Sequence, residues 1–218
     1  MARRFDLITF DWDGTLFDST MLIAQCIQQA CADLGVAVPS DADASYVIGL
    51  GLHDALKHAA PALAPDRYPE LGQRYRHHYF ARQDQLVLFP GTWAMLQALK
   101  ARNHLLAVAT GKARRGLDDA LAHSQLHGMF DATRTADETA GKPNPLMLQQ
   151  LMRQLDVAPE RTLMIGDTTH DLMLARNAGT ARVAVVFGAH QTDAFGEYEP
   201  LFVAHSTDEL HRWLLDHA

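Results

Sequence analysis

Four mostly apolar runs, at residues 5–10, 104–109, 162–165 and 182–187, stand out for their Val, Ile, Leu and Phe content and for the lack of strict polar alternation. Short runs of this kind predict strands buried on both faces, which belong in parallel sheets. Between and after them, apolar positions recur with helical spacing at 92–101, 114–123, 145–155 and 208–215. Strand followed by helix, repeatedly, predicts an α/β fold with a parallel sheet and right-handed crossovers.

One interval breaks the alternation. An amphipathic helix is expected at 21–34, ended by Gly35, and helical pieces continue to about residue 83 with no buried-strand run among them. About seventy residues of helix exceed what a crossover needs, so a small helical domain inserted into the sheet domain is expected. The return falls at the Pro-Gly turn of Leu88-Phe89-Pro90-Gly91. The expected boundaries are therefore 17–88 for the insert, and 1–16 with 89–218 for the core.

Composition narrows the classes of function. With 218 residues, 48% hydrophobic and 21% charged, the chain has enough apolar material for a sizeable core, and no stretch approaches a membrane span. A net charge of −7 with both signs interspersed leaves no footprint for nucleic acid and no basic amphipathic helix for a membrane surface. Asp6, Asp11 and Asp13 interrupt the apolar stretch after Arg3-Arg4, so it does not read as a signal peptide. Cys26 and Cys31 lie five apart in one helical pattern and point to different sides, which predicts reduced, structural thiols and a cytoplasmic protein.

The chemistry gathers where strands end. The first strand runs into FDWDGTLFDS, residues 10–19, with Asp11 and Asp13 two apart before Gly14. Alone, this stretch reads equally as a hairpin turn or as a site, while a calcium loop fails for want of its third ligand position and its closing Glu. The second strand runs into Thr110-Gly111-Lys112, and the one from Thr162 into Gly166-Asp167-Thr168-Thr169-His170-Asp171. A loop holding Gly141-Lys142-Pro143 opens another helix. Ligands in open α/β sheets bind outside the carboxyl ends of the strands. Singly, Thr110 reads as a helix cap or a ligand group, the Asp167–Asp171 pair as a cap and a first-turn acid, and Lys142 as a solvated lysine. Together they place carboxylates, a hydroxyl and an ammonium on one edge.

In these motifs the sequence resembles the haloacid dehalogenase superfamily, in its phosphatase branch with a helical cap between the first two motifs. All four motifs occur in order: Asp11-x-Asp13-Gly14-Thr15, Thr110 after an apolar strand, Lys142-Pro143, and Gly166-Asp167-x-x-x-Asp171. The resemblance implies a Rossmann-like three-layer core with a cap, and a Mg2+-dependent phosphatase working through an aspartyl-phosphate. It implies Asp11 as nucleophile and Asp13 as general acid and base. Asp11, Asp167 and the Asp13 carbonyl become the metal ligands, with Asp171 orienting that shell or ligating through water. Thr110, Lys142 and the amides near Gly14 and Thr15 would hold the transferring oxygens.

Within the family, Asp13 argues against dehalogenation, which needs no proton for a leaving alkoxide. The cap segment Gly49 to Asp54 resembles the specificity loop of phosphoglycolate phosphatases and related pyrophosphatases, which makes His53 and Lys57 the expected cations for a small anionic substrate. Gly111 stands where those phosphatases commonly have Asn, and Leu50 and Leu52 stand where mutases carry a basic residue. A phosphorylated metabolite such as phosphoglycolate is the expected partner, for a monomer or homodimer. A β-phosphoglucomutase-like or pyrophosphatase activity, or a non-catalytic phosphate-binding module, are the alternatives. His170, with no second His or Cys at ligand spacing, is expected at the surface or behind the metal ligands rather than on zinc.

Overall fold

The computed structural model describes residues 3–218. Six parallel strands form one sheet in the order β3-β2-β1-β4-β5-β6. They are β1 (Leu7–Phe10), β2 (Leu105–Thr110), β3 (Ala132–Thr135), β4 (Thr162–Gly166), β5 (Ala181–Val185) and β6 (Val203–Ala204). The four apolar runs became β1, β2, β4 and β5, the last beginning at Ala181 and stopping at Val185 rather than 187.

Successive residues of β1 face opposite sides of the sheet, and the two sides have different covers. Ile8 and Phe10 join Leu106, Val108, Leu163 and Ile165 in a core completed by α5 (Thr92–Ala101) and α9 (Thr207–His217). Leu7, Ala107 and Met164 pack on the other side against α7 (Leu146–Leu155) and α8 (Thr169–Ala178). α6 (Arg114–His123) packs on β3. The outcome is a three-layer α/β sandwich with helices on both faces.

Between β1 and β2 the described elements are helices: α1 (Thr20–Asp33), α2 (Asp41–Tyr46), α3 (Leu52–Ala59) and α4 (Tyr68–Phe80) with short 3₁₀ turns form the insert, and α5 returns the chain to the sheet. α1 packs against α2 and α4, and α3 against α4. Cys26 and Cys31 are both buried and unbridged in α1. The chain enters and leaves this insert side by side: the Asp18 amide donates to the Val87 carbonyl (2.9 Å) and the Phe89 amide to the Leu16 carbonyl (3.0 Å). No described helix is long and apolar enough to cross a membrane.

The chain lays β2 and β3 on one side of β1 and β4 to β6 on the other. The crevice at the carboxyl end of β1 is thus the topological switch point, where a ligand belongs.

Candidate active site

Asp11 follows the last residue of β1, and its amide extends the ladder by donating to the Ile165 carbonyl at 2.9 Å. It is 1% exposed. The chain then turns sharply rather than forming a hairpin: the amides of Leu16 and Phe17 both donate to the Trp12 carbonyl at 3.0 Å, and Gly14 takes φ +82°. A Cβ on Gly14 would lie 2.1 Å from Asp167 Oδ2, so no other residue allows this approach.

β4 ends at Gly166 and delivers Asp167 beside Asp11. The Asp167 carboxylate accepts from the Thr15 hydroxyl (2.8 Å) and from the Ala189 amide (2.8 Å). Burial first, and then the Asp171 charge, push its pKa up to about 7. Asp171 sits in the first turn of α8 in a capping box: Oδ2 accepts from the Thr168 amide (3.1 Å) and hydroxyl (2.6 Å). Its Oδ1 accepts from Lys142 Nζ at 2.6 Å. With both oxygens engaged, Asp171 positions Lys142 and the helix start.

Lys142 is fully buried and also lies 2.7 Å from Asp11 Oδ1. Burial opposes its charge, but the Asp11 and Asp171 carboxylates outweigh it and hold the ammonium above the usual lysine range. That ion pair is the one close side-chain contact of the Asp11 carboxylate among the described residues, and its Oδ2 has no hydrogen-bond partner. Burial raises the Asp11 pKa well above its ordinary value despite Lys142. Carboxylate oxygens of Asp11, Asp167 and Asp171 lie within 4.8 Å of one another. Buried acidic oxygens converging in this way, those of Asp11 without a hydrogen bond, suit a hard divalent cation.

Asp13 accepts from the Ser19 hydroxyl at 2.7 Å and pairs with Lys112 Nζ at 3.2 Å. Lys112 also donates to the Tyr79 hydroxyl of α4 at 2.9 Å and lies over that ring, 4.8 Å from its centroid. Thr110 is buried at the end of β2, and its hydroxyl accepts from the Lys112 amide at 3.2 Å. It does not cap α6, which begins after Ala113 with no side-chain cap. Gly111 is pressed against the insert: a Cβ there would lie 2.4 Å from the Leu50 carbonyl oxygen and 2.5 Å from that of Gly49.

A chamber of about 310 Å³ lies between sheet edge and insert, lined by Asp11, Asp13 and Thr110 below and by residues of α1, α3 and α4 above. His53 and Lys57 do not line it. The turns of α3 aim Ala55, Leu56 and Ala59 inward and leave both cations on the exposed face, where the His53 ring meets Tyr68 edge-on. The loop residues that do line the chamber are Gly49 and the apolar Leu50 and Leu52. His170 is also buried rather than superficial: its Nε2 donates to the Tyr46 carbonyl at 2.8 Å, as does that of His190 at 3.0 Å. Burial lowers the pKa of both rings. Through Tyr46 these bonds tie α2 to α8.

Three groups went unread in the sequence: Lys112, Ser19 and the 188–190 segment that closes over Asp167. A Cβ on Gly188 would lie 2.2 Å from Asp167 Oδ2. Lys112 follows a strand end directly, which was the available signal.

A family model described as haloacid dehalogenase-like hydrolase matches residues 8–185. The chain belongs to the haloacid dehalogenase-like hydrolase family. Among its relatives, pyrophosphatase PpaX of Halalkalibacterium halodurans is 30% identical, with 95% of each chain covered. The phosphoglycolate phosphatase of Vibrio vulnificus is also 30% identical over 95% of each. A haloacid dehalogenase-like hydrolase structure from Streptococcus pneumoniae superposes with a TM-score of 0.82 at 26% identity, covering 96% of this chain and 98% of that one. This haloacid dehalogenase-like hydrolase has an acidic, buried sheet edge facing the chamber.

Proposed function

We propose that the protein is a Mg2+-dependent phosphatase that hydrolyses phosphate monoesters through an acyl phosphate on Asp11. The observation that carries this is the Asp11 carboxylate, buried at the strand end, paired on Oδ1 with Lys142 alone and facing the chamber. Its relatives named pyrophosphatase and phosphoglycolate phosphatase support the choice of phosphorus as the reacting centre. Asp11 and Asp167, with the Asp13 carbonyl, would hold Mg2+, which when bound neutralises charge on the phosphoryl oxygens. Asp171 supports this set through Lys142.

Asp11 attacks phosphorus in line and the ester oxygen departs. Asp13 delivers a proton to that oxygen, then takes one from the water that releases phosphate. Its carboxylate is oriented for both steps by Ser19 and Lys112. Thr110 and Lys142 hold the transferring oxygens as charge develops. Residues 17–88 act as a cap that closes to exclude water and opens at the paired crossings near Leu16 and Phe89.

Phosphate release from p-nitrophenyl phosphate tests this proposal. Wild type should turn over with Mg2+, stop with EDTA and recover on readdition, with Ca2+ a poor substitute. Turnover persisting after rigorous chelation would remove Asp167 from a metal role.

A further inference from the structure

We propose that the natural substrate is a phosphate monoester whose leaving group is an uncharged, apolar body, and not a small dianion such as a carboxylated or pyrophosphoryl ester. The inference rests on the phosphatase reading above and adds the substrate class.

The chamber has a charged floor and an apolar wall. Opposite Asp11 and Thr110 stand Ile23, Ile27, Val47, Leu50, Leu52 and Tyr75. The one lining ammonium, Lys112, is already paired with Asp13 and bonded to Tyr79. Arg76 and Arg115 line the chamber only from exposed positions, and His53 and Lys57 face away. A second anionic group placed against the aliphatic wall would lose its water, and the cations not already paired, Arg76 and Arg115, offer only exposed guanidinium groups in exchange. An apolar body there gains from burial. The wall is also held close to the floor, since the Gly49 and Leu50 carbonyls leave no room for a side chain on Gly111.

Size agrees with polarity: a chamber of about 310 Å³ leaves room beside a phosphate for a small apolar body.

Ethyl, butyl and hexyl phosphate test this, because the acidity of the leaving alcohol barely changes along the series. With wild-type enzyme and Mg2+, kcat/KM should climb about fourfold per methylene, or roughly 250-fold over the four methylenes from ethyl to hexyl. Phosphoglycolate and pyrophosphate should stay near the ethyl ester. Leu50→Lys, which puts a cation in the wall, should cut the hexyl-to-phosphoglycolate ratio at least tenfold. A flat alkyl series, or phosphoglycolate exceeding hexyl phosphate, would overturn the inference while p-nitrophenyl phosphate turnover kept the phosphatase reading intact. Failure to turn over any ester, p-nitrophenyl phosphate included, would overturn both.

Discussion

The sheet edge and the helical insert meet across one chamber and are stabilised in opposite ways. On the edge, Asp11, Lys142, Asp167 and Asp171 are buried charges whose oxygens and nitrogen lie 2.6–2.8 Å from their partners. On the insert, Ile23, Ile27 and Val47 present hydrocarbon. Charges grouped so tightly are costly to desolvate and hold only while each has its partner, whereas an apolar wall tolerates exchange of side chains of similar volume. The edge is therefore committed to one chemistry, and the insert is where selectivity can change. Each substitution below should fall on one side of that division.

The largest effect belongs to the nucleophile. Asp11→Asn should lower kcat on every ester by a thousandfold or more, on the order expected for loss of a covalent catalyst. The metal-free protein should melt no lower, because the wild-type carboxylate is already disfavoured by burial. Equal loss on all esters marks an edge residue, and substrate-dependent loss would move Asp11 to the selective side.

Next comes Lys142→Ala, which strips Asp11 and Asp171 of their cation. In the metal-free protein, urea unfolding should show a loss of about 3–5 kcal/mol, the range for breaking a buried pair.

Proton linkage gives a smaller change, with a definite sign. The folded-state pKa of Asp167, about 7, lies above its ordinary 3.8. Below about pH 4 both states carry the proton. Between about 4 and 7 the folded state keeps a proton that the unfolded state has released, so metal-free stability should fall through that window, by a few kcal/mol, and level off above it. The stabilisation given by Mg2+ should accordingly be larger at pH 8 than at pH 5 in a thermal melt.

Smaller still is Tyr79→Phe, which removes one hydrogen bond between edge and insert but keeps the ring over Lys112. A three- to tenfold drop in kcat/KM, about 1 kcal/mol, is expected. His53→Ala and Lys57→Ala should change kcat/KM less than twofold on any substrate, because both project to solvent. A selective effect of either would return the cationic loop to the site.

The same division governs what was legible in the sequence. Asp11, Thr110 and Asp167 stand where apolar runs stop, and Lys142 stands in a loop that opens a helix, so strand ends and one loop locate the edge. The apolar wall draws on residues from 23 to 80, whose meeting is a matter of helix packing and leaves no local pattern. Lys112 shows both cases: its place at a strand end was visible, but its bond to Tyr79 joins positions 33 apart. In the fold, β3 escaped notice because Thr133 and Arg134 are only half-buried in an edge strand, and β6 because it has two residues. His53 and Lys57 stand off the chamber for a related reason. Their charge suggested a ligand, while the spacing of Ala55, Leu56 and Ala59 had already turned them outward.

Covalent capture at Asp11 tests the central claim most directly. Asp13→Asn should slow release of phosphate from the enzyme more than its transfer from an activated ester, whose leaving group needs no proton. Mixing that variant with p-nitrophenyl phosphate and Mg2+ and quenching in acid should leave an acid-stable, hydroxylamine-labile phosphate on the peptide that carries Asp11. Release of p-nitrophenol with no phosphate on that peptide at any time, in this variant or in wild type, would contradict it.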